Sequence, residues 1–307
     1  MRVVFAALAS TLLLVGFAAA SWAQNGLERF EKEIRPQFEL KALNYAGAEP
    51  LGASGFVLKD VVAVVPANSA TGDRESTIRI DKVTVDDLDF DRLRQDSPDD
   101  LAPRFAKLRL EGMTGDDEMF TALEPYGIPN VPFDVALDYR IDPAARVLTL
   151  SLLEVTLRGQ ARLALSMIVD GVSDNTDMDT AKDEGRLRSA SLTVDDKQLL
   201  DKLVPALASE EGIKAEELIT TALDALAGLA QAQTGETLKA LDALASFVND
   251  WKGPKGPLVL GLRPAKTAGL QDLDKIMVPD ALSTLFGFTA TYPGTRSGAA
   301  KAGSRGR

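Results

Sequence analysis

The stretch that most constrains the fold lies between Val131 and Val169, where apolar and polar residues alternate. Alternation begins at Phe133 and runs to Ile141. It resumes after the turn Asp142-Pro143-Ala144-Ala145, and after Arg158-Gly159-Gln160 it runs a third time to Val169. Period-two alternation between turns that contain Pro and Gly is typical of antiparallel strands with one buried face and one solvent-exposed face. The stretch therefore predicts a three-stranded antiparallel meander.

Two breaks in the alternation predict that the sheet is curved. The first falls at Asp81-Lys82, between Ile80 and Val83, and the second falls at Leu152-Leu153. A slip of one residue turns every later side chain to the opposite face unless a bulge or a bend restores the register. Two such slips are typical of a strongly curved sheet and not of a flat one.

The spacing of apolar residues changes from two to 3.6 at Asp195. Three stripes follow, from Leu199 to Leu207, from Lys214 to Gln231, and from Thr234 to Trp251. Each stripe is one face wide, which predicts three helices packed on one side. Alternation returns at Leu258 and again at Phe288, so the helices are an excursion from the sheet, and one mixed domain is favoured over two.

These patterns predict an α+β fold: a curved, mainly antiparallel sheet with a block of about three helices packed on one face and strands returning after it. We expect a single domain over residues 24–293. Its parts are a β-rich region (50–194), a helical block (195–252), and closing strands with short helices (256–293).

Both ends of the chain have the composition of segments outside the fold. Residues 1–23 begin with one arginine, continue with an uncharged apolar run, and end in Ser21-Trp22-Ala23. This is typical of a secretory signal peptide cut after Ala23 and predicts a periplasmic protein. A retained membrane anchor is the alternative. Residues 294–307 hold four basic residues and no acidic one, which predicts a disordered basic tail, either inert or weakly attracted to lipid headgroups.

The composition excludes several classes of chemistry. The chain has no histidine and no cysteine. Ser-His-Asp and Cys-His catalysis, the usual zinc sites and disulfides are therefore excluded. The body between the leader and the tail is strongly acidic, so nucleic acid is not expected as a partner and membrane contact is at most peripheral. We expect no cofactor and no metal.

Acidic clusters are the main concentrations of reactive groups. Asp87, Asp89 and Asp91 alternate with apolar residues, as they would along one face of a strand. The loop Asp170–Glu184 holds several carboxylates, the ligands that calcium prefers. Thr180 stands where an EF-hand needs Gly, and no Glu falls at the twelfth position. For both clusters a solvated face is favoured over a site.

Catalysis remains an alternative with little support. Paired carboxylates could serve a glycosidase, but the few aromatic residues do not suggest a saccharide platform. A Ser-Lys hydrolase leaves no local signature. We therefore expect that the protein is not an enzyme.

An apolar binding site between sheet and helices is the leading functional hypothesis. Its candidate lining comprises Phe133, Val135, Leu137, Leu150, Leu163, Leu165, Leu241, Leu244 and Phe247. The same residues could instead form a filled core. The alternative function is a structural or interaction protein of the cell envelope with no small ligand.

The region from Thr77 to Pro293 resembles exported Gram-negative envelope proteins of the AsmA and YdgA kind. The resemblance is carried by short alternating strands such as Ile78–Val85, by the turn after Tyr139-Arg140-Ile141-Asp142-Pro143, and by Leu258–Lys266 followed by Pro279-Asp280-Ala281-Leu282. These are degenerate patterns. The resemblance implies a role in the envelope, where AsmA-like proteins are associated with lipid handling. The chain is much shorter than the large AsmA-like proteins, and no site residue is transferred.

Overall fold

The computed structural model describes residues 24–67, 74–94, 102–116, 118–176 and 178–294. The predicted leader, and the tail beyond Gly294, lie outside these residues. The described chain begins with an N-terminal helical segment: helix α1 (Gly26–Arg29), a π turn (Phe30–Ile34) and a 3-10 turn (Arg35–Gln37). Asn25 caps α1, because its side-chain oxygen accepts a hydrogen bond from the Glu28 N–H at 3.0 Å.

A twelve-stranded antiparallel sheet is the centre of the fold, in agreement with the predicted class. Its strands are β1 (Ala42–Asn44), β2 (Gly47–Leu51), β3 (Gly55–Val65), β4 (Ser76–Leu88), β5 (Phe105–Gly115), β6 (Phe133–Asp142), β7 (Val147–Leu157), β8 (Ala161–Asp170), β9 (Arg186–Asp196), β10 (Leu258–Leu262), β11 (Ala268–Gly269) and β12 (Phe288–Thr291). The order is β1-β3-β4-β5-β6-β7-β8-β9-β10-β12, with β2 paired to β3 and β11 to β9. The predicted meander is β6–β8.

The helices lie between strands and concentrate in the C-terminal half. They are α2 (Phe90–Leu93), α3 (Glu118–Thr121), α4 (Met178–Glu184), α5 (Leu199–Glu210), α6 (Ala215–Ala230), α7 (Gly235–Asn249) and α8 (Pro279–Thr284), with 3-10 turns at Glu124–Tyr126 and Leu270–Met277. Helices α5, α6 and α7 correspond to the three predicted stripes. Helix α7 packs on β12 and β10, α6 packs on α7, and α5 packs on α6.

The register places most large apolar residues of β5–β9 on one face. Val135 lies opposite Val155, which lies opposite Leu163, which lies opposite Val194. Directly paired residues point to the same side of a sheet. The other face carries ion pairs across neighbouring strands, such as Arg162 with Glu154 at 2.6 Å. One face is thus apolar and the other polar, as the alternation predicts.

The predicted slip in β7 is a bulge. Leu150 pairs with Met167 and Leu153 pairs with Leu165, so β7 has one extra residue between them. The pairing of β6 with β7 shows the same extra residue, because the adjacent residues Asp138 and Tyr139 pair with Leu152 and Leu150. The bulge keeps Leu150 and Leu153 on the apolar face.

The predicted slip at Asp81-Lys82 has a different origin, because β3 and β4 keep one register on both sides of it. Val61 and Ile80 pair before the slip, and Leu58 and Val83 pair after it. Neighbouring strands therefore change phase together, as a shared bend. The bend ends at Gly112, which has a φ of 69° and lies in a register shift between β5 and β6.

Charged side chains hold the bend in place. The Gly112 N–H donates a hydrogen bond to Oδ1 of Asp134 at 2.7 Å. Arg158 binds the same carboxylate at 2.7 Å and approaches Asp81 at 3.5 Å. Burial opposes ionisation of Asp134, but the hydrogen bonds from Arg158 and Gly112 outweigh it and lower the pKa of that carboxyl.

Three local predictions are corrected. Strands begin at Ala42 and not near residue 50, because β1 and β2 are too short to show alternation. Asp87, Asp89 and Asp91 do not share a strand face, since β4 ends at Leu88 and Asp91 lies in α2. The predicted loop Asp170–Glu184 contains helix α4.

Candidate functional site

The middle of the apolar face is the candidate site. We call it the central apolar face and define it by eight residues on β5–β9, all on the same side of the sheet by register: Leu110, Val135, Leu137, Leu153, Val155, Leu163, Leu165 and Leu192. None of these side chains is fully buried. No member carries a polar or ionisable group, so the surface offers only van der Waals and hydrophobic contact.

Two leucines at the centre are unusually exposed. Leu153 is 37% exposed and Leu163 is 38% exposed. They lie on the adjacent strands β7 and β8, because Leu153 pairs with Leu165 and Val155 pairs with Leu163. Large apolar residues in the interior strands of a sheet are normally covered by another layer. Here that layer is incomplete.

The two sides of the face are covered by separate buried clusters. At β3 and β4, the N-terminal helical segment packs Phe30 and Ile34 on Phe56 and Leu58. The rings of Phe30 and Phe56 stack with their centroids 4.5 Å apart. At β10 and β12, Ala240 and Leu241 of α7 pack with Phe288 and with Leu282 of α8. The central apolar face lies between these two clusters.

One end of the face is crossed by an ionic clasp, which we define as Asp174 with Arg92 and Arg104. Oδ2 of Asp174 lies 2.7 Å from Nη2 of Arg92 and 2.8 Å from Nε of Arg104. Asp174 is only 6% exposed. The hydrogen bond from Arg104 lowers the pKa of the Asp174 carboxyl, although burial acts in the opposite direction.

The clasp lies on the apolar side of the sheet. The Tyr139 hydroxyl, on the apolar face of β6, donates a hydrogen bond to the carbonyl of Pro103 at 3.0 Å. Val172, two residues before the clasp aspartate, packs with Leu148 and Met167. Burial, together with the nearby Asp89, raises the pKa of the Tyr139 phenol, so the hydroxyl stays protonated and remains a donor.

Helix α5 crosses the other end. It starts just after β9 and contacts the 3-10 turn Glu124–Tyr126, which lies between β5 and β6. It therefore passes the ends of the intervening strands. Asp196 fixes its start, because Oδ1 accepts a hydrogen bond from the Leu200 N–H at 3.1 Å. The second oxygen, Oδ2, is buried without a hydrogen-bond partner, and this burial raises the pKa of the Asp196 carboxyl.

The predicted lining is divided between two places. Phe133, Val135, Leu137, Leu150, Leu163 and Leu165 share the apolar face of β6–β8. Leu241, Leu244 and Phe247 lie on α7, which packs on β12 and β10 and not over the meander. Helix α7 thus lies beside the lining residues of the meander and does not cover them. Leu110, Leu153, Val155 and Leu192 were missed, although continuing the same alternation across β5, β7 and β9 identifies them.

The acidic loop Asp170–Glu184, predicted to be mainly a solvated face with calcium binding as the alternative, contains a buried carboxylate at Asp174. Asp174 is occupied by the two arginines of the clasp, and Asp177 lies outside the described residues. Within the part of the chain that the structure describes, no group of three or more carboxylates is placed to hold a metal ion. In the same part, no helix is both long and apolar enough to cross a bilayer.

A family model described as "Uncharacterized protein" matches residues 154–293, from within β7 to just beyond β12. No curated protein matches the chain.

Proposed function

We propose that the protein is a non-catalytic envelope protein that binds the acyl chain of a lipid on the central apolar face. The observation that carries this proposal is the exposure of Leu153 and Leu163 at 37% and 38% in the middle of a twelve-stranded sheet. Covering a leucine side chain contributes about 1.5–3 kcal/mol relative to leaving it exposed. An apolar ligand on the face recovers part of this free energy.

The dimensions of the face suit an acyl chain. Neighbouring strands lie about 4.8 Å apart, so the four spacings from β5 to β9 span roughly 19 Å. One leaflet of a bilayer has a hydrocarbon thickness of about 15 Å, half of the whole hydrocarbon core. A chain of leaflet length therefore fits across the strands, between the two side clusters.

The surroundings favour a chain-like ligand over a flat protein surface. Buried clusters border the face at both sides, and the ionic clasp and α5 cross its two ends. Leu153 and Leu163 therefore lie between elements that border the face on all four sides. The resemblance to AsmA-like proteins, which are associated with envelope lipid handling, agrees with this ligand class, and the apolar leader agrees with export.

Native mass spectrometry of the mature protein, purified from the cells that make it, tests the proposal. We expect a reproducible non-covalent adduct with the mass of a lipid or fatty acid, lost after organic extraction and regained on incubation with an envelope lipid extract. The intact mass also tests cleavage after Ala23. A protein that carries no adduct and regains none from the extract contradicts lipid binding and favours the alternative, an interaction protein of the envelope.

A further inference from the structure

A second surface, on the far side of α7 from the sheet, has features that the lipid proposal does not use. Two adjoining grooves run along the contact between α6 and α7, with volumes of about 450 and 460 Å³. Leu223, Asp242 and Ala245 line both. We call them together the α6–α7 groove.

The α6–α7 groove is incompletely covered. None of the sixteen residues of α6 is buried, although the helix has a stripe that includes Leu223, Leu226 and Leu229. Leu226 and Leu229 pack against the cluster around Leu241 but remain only partly buried. An apolar stripe with no buried member is typical of a helix that lacks part of its packing.

The charge around the groove is one-sided. Within the described residues, Asp224 and Asp242 form no ion pair, whereas three nearby lysines are paired: Lys239 with Glu236, Lys252 with Glu216, and Lys255 with Asp250. One of the two grooves is lined mainly by Leu and Ala, and the other mainly by polar residues. Asp242 lines both grooves, and Asp224 follows the lining residue Leu223 on the exposed surface of α6. A ligand that complements this groove in charge and shape is a basic peptide segment with small side chains.

The described part of the chain ends beside this groove. The Tyr292 hydroxyl donates a hydrogen bond to Oδ2 of Asp250 at 2.9 Å, and the Gly294 N–H donates to the Pro257 carbonyl at 2.6 Å. Asp250 and Lys255 both line the groove. The residues after Gly294 thus leave the fold at one end of the α6–α7 groove.

The segment after Gly294 has the matching composition. Residues 295–307 carry Arg296, Lys301, Arg305 and Arg307, no acidic residue, and Ala or Gly at most other positions. Thirteen residues reach up to about 43 Å when extended, and the fifteen residues of α7 span roughly 22 Å. The segment is long enough to follow the whole groove, with the aliphatic stems of its basic residues over the leucines.

We propose that the basic C-terminal segment, residues 295–307, docks in the α6–α7 groove of its own chain and pairs with Asp224 and Asp242. Each exposed ion pair is individually weak. Attachment at Gly294 makes the docking intramolecular, which raises the effective concentration of the segment at the groove to the millimolar range. The contact therefore depends on salt, because at 1 M ionic strength the screening length falls to about 3 Å.

Paramagnetic relaxation tests this docking directly, since the chain has no native cysteine to compete for the label. A nitroxide is attached to the mature protein through Ala302→Cys, and the backbone amide signals of α6 and α7 are measured. We expect strong broadening along both helices at low salt, and at least a several-fold reduction of that broadening in 1 M NaCl.

Matched variants separate docking from random proximity. The double substitution Asp224→Asn and Asp242→Asn is expected to remove most of the broadening, whereas Asp179→Asn with Asp280→Asn, two exposed acids away from the groove, leaves it unchanged. The proposal is overturned if broadening is confined to residues beside Gly294. It is also overturned if the broadening survives 1 M NaCl, or if both double variants behave alike.

Discussion

Arg104 donates a hydrogen bond from Nε to Oδ2 of Asp174 at 2.8 Å, although the two residues are 70 positions apart in the chain. Arg104 precedes β5, and Asp174 lies between β8 and β9. The contact therefore joins two loops across the ends of β6 and β7. It crosses one end of the central apolar face.

Loss of the clasp carboxylate should destabilise the protein. Asp174→Asn leaves the Arg92 side chain, which is only 15% exposed, beside a neutral amide. Hydrogen bonds to charged groups contribute about 1.5–3 kcal/mol each, and the greater exposure of Arg104 reduces its share. We expect the free energy of unfolding to fall by roughly 2 kcal/mol in urea titrations at pH 7.

The pH dependence provides the control for this variant. The folded pKa of Asp174 is lowered, so its contribution is complete above the ordinary aspartate pKa of about 3.9 and is lost as pH falls through the folded value. The difference between the wild type and Asp174→Asn should thus be constant from about pH 5 to 8 and shrink in more acidic solution. A difference that grows on acidification contradicts the clasp.

Asp196 should show the opposite pH dependence. Its folded pKa is raised by burial, so the charged form is unfavourable in the folded protein at neutral pH, and the protein gains stability as pH falls through the raised value. Asp196→Asn keeps the oxygen that caps α5 and removes the charge. We expect Asn to match or exceed the wild-type stability at pH 8, with an advantage that shrinks towards pH 4.

A second substitution at the same position isolates the cap. Asp196→Ala removes the acceptor for the Leu200 N–H, and loss of such a cap costs about 0.5–2 kcal/mol. Thermal unfolding at pH 8 should place the variants in the order Asn, wild type, Ala. Equal stability of Asn and Ala shows that Asp196 does not cap α5.

The shared bend should depend on glycine at position 112. A Cβ atom there would lie 1.8 Å from Oδ2 of Asp81, in a residue with a φ of 69°. Gly112→Ala therefore combines left-handed backbone strain of about 1–2 kcal/mol with displacement of Asp81 from Arg158. We expect the free energy of unfolding to fall by about 1–2 kcal/mol from strain and by up to about 1 kcal/mol more from the exposed ion pair.

Gly127→Ala is the matched control, because Gly127 has a φ of 72° and nothing lies within 4 Å of the added Cβ. It should show the backbone strain alone. If urea unfolding gives the same loss for both variants, contact with Asp81 contributes nothing and the account of the bend is wrong.

The central leucines should contribute to binding and only modestly to folding. Leu153→Thr and Leu163→Thr change side chains that are 37% and 38% exposed, so the free energy of unfolding should fall by only about 1 kcal/mol. Leu150→Thr lies on the same face but is 7% exposed and should cost roughly 2–5 kcal/mol. Affinity for a fluorescent fatty acid should fall about three- to sixfold for each of the two sites, since covering the 37–38% of each leucine that is exposed contributes roughly 0.6–1.1 kcal/mol.

Local periodicity was sufficient to predict the meander, the three long helices and both phase slips. Each of these depends on residues close in sequence, whose spacing follows the period of the strand or helix. The slip at Leu152 even lies beside the bulge that the register shows. The slip at Asp81 predicted the bend but not its mechanism, because neighbouring strands bend together.

Contacts between distant residues could not be predicted in this way. Nothing local to Asp174 indicates that it meets Arg92 and Arg104, so its loop resembled a solvated acidic segment. The position of α7 was uncertain for the same reason. Its stripe requires an apolar partner but does not specify whether that partner is Phe288 at the edge or Leu163 at the centre of the sheet.

Quenching by brominated lipid tests most directly where an acyl chain binds. A tryptophan is placed on the central apolar face by Leu163→Trp, and in a control on the edge strand β2 by Leu51→Trp, where the native side chain is 41% exposed. Trp251, which is 5% exposed, is a common background in the mature protein. Phospholipid with brominated acyl chains should quench the tryptophan at position 163 strongly and the one at position 51 little. Equal quenching at both positions, or none at position 163, contradicts lipid binding on the central apolar face.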